Sequence, residues 1–332
     1  MIPIFRAPVM LGRDGEDKAP VRYVAFVTHG DGSTSLWSSD DLSRFTRRRI
    51  KGDLAQWAAT GTLLPYTYGG ILKASNGWLY AAFRHTTPGA LVSRGLLFRS
   101  QDGLTWNRVS HPLDGVATGS YLVDVAEGAG VIAALRNDGQ LVVSSDGETF
   151  VLGANTGIAQ ANGLAGSPDR LVAAGNGGLL KETANPLTSW TNRDPKFSGT
   201  SITGLHAGNV FLASGTGGKI ATAPLSNPAT WTLRSTGSEG LFVPMYRPDR
   251  WFIAGFNTGV LVTATDALSF STTTSFAAAG ERVGTAINDD EGLVVFFGEG
   301  KIARNTSGTT WTVMTDTGLP DNMTIRAAAF LG

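Results

Sequence analysis

The sequence predicts an all-β fold, a seven-bladed β-propeller of four-stranded antiparallel blades, closed by the C-terminal strand completing the N-terminal blade. Three observations predict it. A turn phrase ending in an aromatic ring recurs seven times with a period near forty residues, Gly-turned hairpins precede the aromatics, and each chain end lacks a strand that the other supplies.

The phrase is SQDGLTW at 100–106 and SSDGETF at 144–150. Aligned on its final ring it runs through Phe45, Trp106, Phe150, Trp190, Trp231, Phe270 and Trp311, at separations of 61, 44, 40, 41, 39 and 41 residues. Upstream lie RLVAAGNGGLLKET at 170–183, NVFLASGTGGKIATA at 209–223 and RWFIAGFNTGVLVTA at 250–264, each a β-rich run, a Gly-rich tight turn and another β-rich run. That pattern is a hairpin. Runs after the aromatic, such as TVMTD, supply a further strand, and runs such as SITGLHAG or YLVDVAEG supply one more before the next hairpin. Four short strands per repeat make one blade, whose two faces are buried against its neighbours.

The ends complete the count. VRYVAFVTHGDGSTSLWSSDD, from Val21, reads as a second and third strand without a first, whereas MTIRAAAFLG at 323–332 reads as a first strand with no hairpin after it. The C-terminal strand is therefore expected beside residues 21–50, leaving no open sheet edge at the seam. Residues 1–20 form an arm outside the repeat, and 21–332 form one domain with inserts at 46–70 and 84–95. Loops on a rigid scaffold carry recognition. The first insert brings Arg47, Arg48, Arg49 and Lys51, suited to an acidic partner or to a solvated strand end, and Trp57, Tyr66 and Tyr68, suited to docking a sugar or protein or to capping the ring.

Lys plus Arg and Asp plus Glu balance at 27 each, so no global field recruits nucleic acid or an anionic membrane. The absence of cysteine removes disulfides, thiolate metal sites and a Cys nucleophile. No run approaches the ~20 apolar residues of a membrane span, and the start MIPIFRAPVMLGRDGEDK has no hydrophobic region typical of a signal peptide. The expectation is a soluble chain without membrane insertion.

Candidate chemistry is sparse. Asn288, Asp289, Asp290 and Glu291 carry oxygen ligands but lack Ca-loop spacing, and read as an inter-strand turn. His29, His85, His111 and His206 are too scattered for a recognisable metal site, and His206 sits on an innermost strand where it can face the central channel. GNGG and GTGG lie between strands and read as hairpin turns rather than phosphate loops. No catalytic residue, metal or cofactor is expected.

The turn phrase resembles the Asp-box, or BNR repeat, in a shortened Ser-x-Asp-Gly-x-Thr-aromatic form. The resemblance implies a structural staple made by Ser100, Asp102, Gly103 and Trp106, and again by Ser144, Asp146, Gly147 and Phe150. The carboxylate would accept turn N–H groups, the glycine would take a positive φ and the ring would pack between blades. Asp-box propellers include sialidases, and Phe5, Arg6, Ala7 and Pro8 resemble the element whose arginine grips the sugar carboxylate there; Tyr246, Glu239, Arg247 and Arg304 match the remaining roles by residue type. Short blades with Gly-x-Gly-Gly hairpins are similar to the photosystem assembly factor group. The chain also looks like bacteriophage tail and tail-tip propellers. That resemblance implies a non-enzymatic virion module whose arm and inserts contact other virion proteins or a host-surface receptor or glycan, in a setting compatible with a symmetric assembly.

Overall fold

The β-rich runs pair as seven antiparallel sheets around one axis. The computed structural model describes residues 21–65, 71–87, 93–114, 119–235, 240–255, 261–273, 283–297, 300–320 and 324–332. From the axis outwards, blade 3 runs Leu122–Gly128, Val131–Arg136, Leu141–Ser144 and Val151–Leu152, and blade 4 runs Ala161–Ser167, Arg170–Gly175, Leu180–Thr183 and Thr191–Arg193. Blades 5, 6 and 7 repeat the order from Ile202–Ala207, Leu241–Arg247 and Val283–Asn288. Blade 1 takes Thr324–Phe330 from the C-terminus as its innermost strand, paired with Tyr23–Thr28 and followed by Thr34–Ser39 and Thr46–Arg48. The expected closure is present.

Four antiparallel strands return the chain to the side on which the blade began. Links between blades and the turns between second and third strands therefore share one face of the disc, the link face. The first hairpins and the turns before the aromatics share the other, the hairpin face.

Each of the seven apolar clusters lies between two neighbouring blades. The aromatic that ends each turn phrase reaches into the preceding blade. Trp106 meets Phe26 of blade 1 at 5.3 Å, Trp311 meets Phe252 of blade 6 at 5.3 Å, and Phe45 of blade 1 closes the circle on Phe296 of blade 7 at 6.0 Å. A polar clasp reinforces that seam: the Tyr23 hydroxyl donates to Asp289 at 2.7 Å, Arg304 pairs with Asp289 at 2.5 Å and Arg22 with Asp290 at 2.6 Å.

Blade 2 corrects the insert boundaries. Thr46–Arg48 is the outermost strand of blade 1, and Thr62–Pro65 is already part of the inner edge of blade 2, so the true link is 49–61. That link contains an Ala-rich helix, Asp53–Thr60, which packs Leu54, Trp57 and Ala58 onto the core between blades 1 and 2. The inner edge of blade 2 is made by Thr62–Pro65 and Ile71–Lys73, both paired to Leu79–Thr86. Over 84–95 the hairpin strands Leu79–Thr86 and Ser93–Ser100 simply continue their pairing towards the link face. The arm at 1–20, with Tyr66 and Tyr68, lies outside the described residues.

The closing strand carries Ile325, Ala327, Ala328 and Ala329 in full burial. Removing residues 323–332 is expected to leave both an open edge and an uncovered core. The truncated chain should lose its cooperative thermal melt and aggregate on size exclusion, and an unchanged melting curve would refute the dependence on closure.

Candidate functional site

The two best turn phrases fold into the same hydrogen-bonded staple. Asp102 Oδ1 accepts from the Leu104 and Thr105 amides at 2.8 and 2.7 Å, Ser100 Oγ accepts from the Gly103 amide at 2.9 Å, and Trp106 Nε1 donates to the Gly103 carbonyl at 2.8 Å. Asp146, Ser144 and Gly147 repeat the first three of these contacts. Gly103 and Gly147 have φ of 69° and 74°, and a side chain there would meet Val24 or the Tyr80 hydroxyl of the preceding blade. The Phe150 ring is buried beside Tyr80.

Sequence comparison understated how far this staple extends. In blade 1 the Leu42 amide donates to Ser39 Oγ, and in blade 6 Asp266 accepts from the Leu268 and Ser269 amides. Leu42 and Ala267 adopt φ of 70° and 57° where the better copies have glycine. Both side chains are buried in inter-blade clusters, which offsets the left-handed backbone. These turns hold the ring together and leave little of their own chemistry for a ligand.

The described candidate partner-binding residues fall on two elements, the outermost strand of blade 1 and the helix of the link. Arg47 and Arg48 lie in the outermost strand of blade 1, opposite Trp37 and Leu36, and Arg48 Nε donates to Ser38 Oγ at 2.7 Å; Arg49 follows at the strand end, exposed. Trp57 lies between the Arg108 guanidinium at 5.0 Å and the His85 ring at 4.9 Å, towards the link face. His85 is buried, and burial followed by the Arg94 charge lowers its pKa. Arg247 is consumed by Asp249 and Asn305, and Arg304 by Asp289 and Glu291, so neither forms an open carboxylate clamp. Among the described residues no three His, Asp or Glu side chains group as a metal site.

What the structure does assemble is the central channel. The inner strands of blades 3 to 7 and of blade 1 each carry a register shift near their start, at Leu122/Asp124, Ala161/Gly163, Ile202/Gly204, Leu241/Val243, Val283/Thr285 and Ile325/Ala327. A bulge bends its strand and increases the local twist. All the inner-strand residues that line the channel come after it, and in blade 2 they come after Pro65. The result is a cavity of about 470 Å³ on the hairpin side of the axis.

Its lining mixes apolar groups (Leu72, Met245, Ile287, Phe330) with Asp124, Glu127, His206, Thr285 and Asn288. Tyr246 lies against Trp251 at 4.9 Å, and His206 meets the same indole edge-on at 5.8 Å. Burial pushes the His206 imidazole down to about 4, so at neutral pH it presents one donor and one acceptor nitrogen. Asp124 in blade 3 accepts from the Leu164 amide of blade 4 at 2.7 Å and from its own neighbour Val125 at 2.8 Å. Burial raises its pKa to about 7 against those hydrogen bonds. Glu127 accepts from the Ser75 amide at 2.7 Å, and Lys73 donates to the Leu331 carbonyl at 2.7 Å, so the rim is braced from blade to blade. Of these groups only His206 was legible beforehand as a channel residue, since the strand direction that aims the others inward is set by the bulge.

No family model matches the sequence, and no curated protein is similar to it. Solved structures do match. YCF48 bound to D1 peptide aligns with a TM-score of 0.60 at 16% identity, covering 87% of this chain and 90% of its own. YCF48 from Cyanidioschyzon merolae aligns at 0.54 and 13%, covering 86% and 95%, and virginiamycin B lyase from Staphylococcus aureus at 0.56 and 11%, covering 82% and 91%. At these identities the likeness is one of fold, and the fold is a seven-bladed β-propeller.

Two titration predictions follow from the carboxylates. Burial works against ionised Asp102, but the Thr105 and Leu104 amides outweigh it and hold the carboxyl below its usual range; the Glu148 and Thr149 amides hold Asp146 down to about 2. Both folded pKa values lie below the unfolded value of about 4. Their contribution is therefore present above that pH and lost as pH falls towards 2. Asp102→Ala should cost about 1 kcal/mol in urea unfolding at pH 7, and the cost should shrink between pH 4 and 2. Asp124 has the opposite sign, with full stability below about pH 4 and loss as pH rises through 7. Asp124→Asn should gain about 1 kcal/mol or more relative to the parent at pH 8 and nothing at pH 4, and equal effects at the two pH values would contradict the assignment.

Proposed function

We propose that this protein is a non-enzymatic interaction module that receives a short, extended segment of a protein partner at the hairpin-face mouth of its channel. The observation that carries this reading is the channel itself, in which inner strands of all seven blades contribute walls of mixed polarity after their bulge or interruption. A cleft with walls of this mixed polarity suits an extended chain, whose backbone groups can meet His206, Thr285 and Asn288 while apolar side chains meet Met245 and Ile287. A rigid ring also loses little entropy on docking.

The fold alone is neutral between binding and catalysis, since one of its structural neighbours is a lyase. The non-enzymatic reading is supported by the engagement of Arg247 and Arg304 with neighbouring side chains. Two settings come from resemblance: a phage virion, where the disc would meet other tail proteins or a host receptor, and a factor like those that assist photosystem assembly. The second has a structural counterpart in YCF48 bound to a peptide, so a peptide segment is the partner we favour.

The reading is tested with a library of synthetic peptides of eight to twelve residues on the immobilised protein. Ala207 is half-buried in the channel wall, and Ala207→Trp fills the mouth. Enriched peptides should bind Ala207→Trp at least tenfold more weakly, and should bind a triple Arg47→Ser, Arg48→Ser, Arg49→Ser variant as they bind the parent. Equal affinity for the tryptophan variant would place the site elsewhere.

A further inference from the structure

The residues that follow the register shift of the inner strands are Asp124, Gly163, Gly204, Val243, Thr285 and Ala327, so blade 3 alone places a charged group at that level of the channel. The Asp124 carboxyl lines the cavity, is 4% exposed and is bonded to amides, with Oδ2 accepting from Leu164 and Oδ1 from Val125. An ionised carboxylate has about four acceptor sites, and these bonds fill two. Among the described residues no Lys, Arg or His side chain pairs with it. Gly163 on the neighbouring strand puts no side chain over it, since a Cβ there would stand 3.8 Å from Asp124 Oδ2.

The charges around it are committed elsewhere. Lys73 of blade 2 and Glu127 of blade 3 have opposite sign and lie nearer the hairpin ends of their strands; Lys73 donates to the Leu331 carbonyl at 2.7 Å and Glu127 accepts from the Ser75 amide at 2.7 Å. Arg136, on the strand paired with that of Asp124, is held by both oxygens of Asp138 at 2.8 and 2.6 Å. Arg84 of blade 2 stacks on Tyr121 at 4.7 Å, and Arg170 of blade 4 pairs with Glu182 at 3.3 Å. The inner strand of blade 4 has no ionisable side chain, and Arg326 of blade 1 is the residue its shift passes over, outside the lining. Blade 5 brings His206, which burial keeps neutral.

A buried carboxyl without a counter-ion destabilises the fold that holds it. A cation arriving along the channel would offset that cost, because charge-assisted hydrogen bonds are strong where water is excluded. We propose that Asp124 selects the partner segment, taking the ammonium or guanidinium group of one lysine or arginine in a stretch otherwise without charge. This rests on the reading of the channel as a peptide site. The rest of the wall suits an uncharged stretch, because His206, Thr285 and Asn288 are neutral and the rim carries one charge of each sign. Burial holds the free carboxyl near pKa 7, so a bound cation expels its proton, and affinity rises with pH through that range.

Peptides enriched from the library should carry one Lys or Arg, and synthetic copies with glutamine in its place should bind the parent about tenfold more weakly. Asp124→Asn keeps an acceptor for the Leu164 amide and loses the buried charge, so it folds, and it should bind the basic and glutamine copies equally. The basic copy should bind the parent about tenfold more weakly at about pH 5.5 than at about pH 8, and the glutamine copy should bind equally at both. Ala207-dependent peptides that lack a basic residue, or that keep their preference for one on Asp124→Asn, leave the channel site standing and overturn the role of Asp124. A second probe needs no peptide: n-butylammonium, the end of a lysine side chain alone. In a carbon-13 NMR titration, with Asp124 assigned by its loss in Asp124→Asn, butylammonium should lower the Asp124 midpoint by about half a pH unit relative to sodium at equal ionic strength. If no library peptide binds in an Ala207-dependent way, a lowered midpoint keeps the cation site and removes the peptide reading, whereas an unmoved midpoint overturns both.

Discussion

Everything in this molecule depends on one repeated contact, the aromatic ring that one blade drives into the apolar face of the blade before it. A four-stranded sheet has two faces to bury and no core of its own, so each blade is stable only when both neighbours are in place. Trp106 against Phe26 and Trp311 against Phe252 supply that contact between consecutive blades. The same contact from Phe45 to Phe296 makes the last blade a neighbour of the first. The C-terminal strand and the Asp289 clasp then hold the circle shut at the point where the backbone is discontinuous.

A second repeated device gives the ring an inside. The bulge near the start of the inner strands turns the later residues of those strands towards the axis, so that a cavity opens on the hairpin side. The turn staples and aromatic wedges lie out in the blades, while the channel wall is made largely by the inner strands. Several wall residues also join blades: Asp124 ties blade 3 to blade 4 at the cost of a buried carboxyl, Glu127 accepts from Ser75 of blade 2, and Asn288 donates to the Tyr246 carbonyl of blade 6.

The link face and the hairpin face also divide the residues that looked interesting in isolation. Trp57 is taken up by Arg108 and His85, and Arg47 and Arg48 are ordinary members of an outer strand. Arg47 and Arg48 were counted with the link because residues just after the Phe45 marker belong to its strand, whereas Trp57 does lie in the link. The staple in blades 1 and 6 went unrecognised for a related reason. Leu42 and Ala267 break the written motif yet keep its hydrogen bonds, since burial of their side chains compensates for a backbone that glycine would adopt freely.

The amino-acid sequence by itself determined the blade number, the strand order within a blade and the closure by the final strand. Those follow from periodicity, alternation and turn chemistry, which are local and recur seven times. Tertiary structure alone decided which side chains share the channel, because Asp124, His206, Tyr246 and Asn288 come from four different blades and meet only once the ring is closed. It also decided that Arg22 and the start of blade 1 lie beside Phe330 at the channel wall, a consequence of strand direction that no stretch of residues states. A repeat encodes its own unit many times over, whereas a site on the axis is encoded once, in pieces too far apart in the chain to show a pattern.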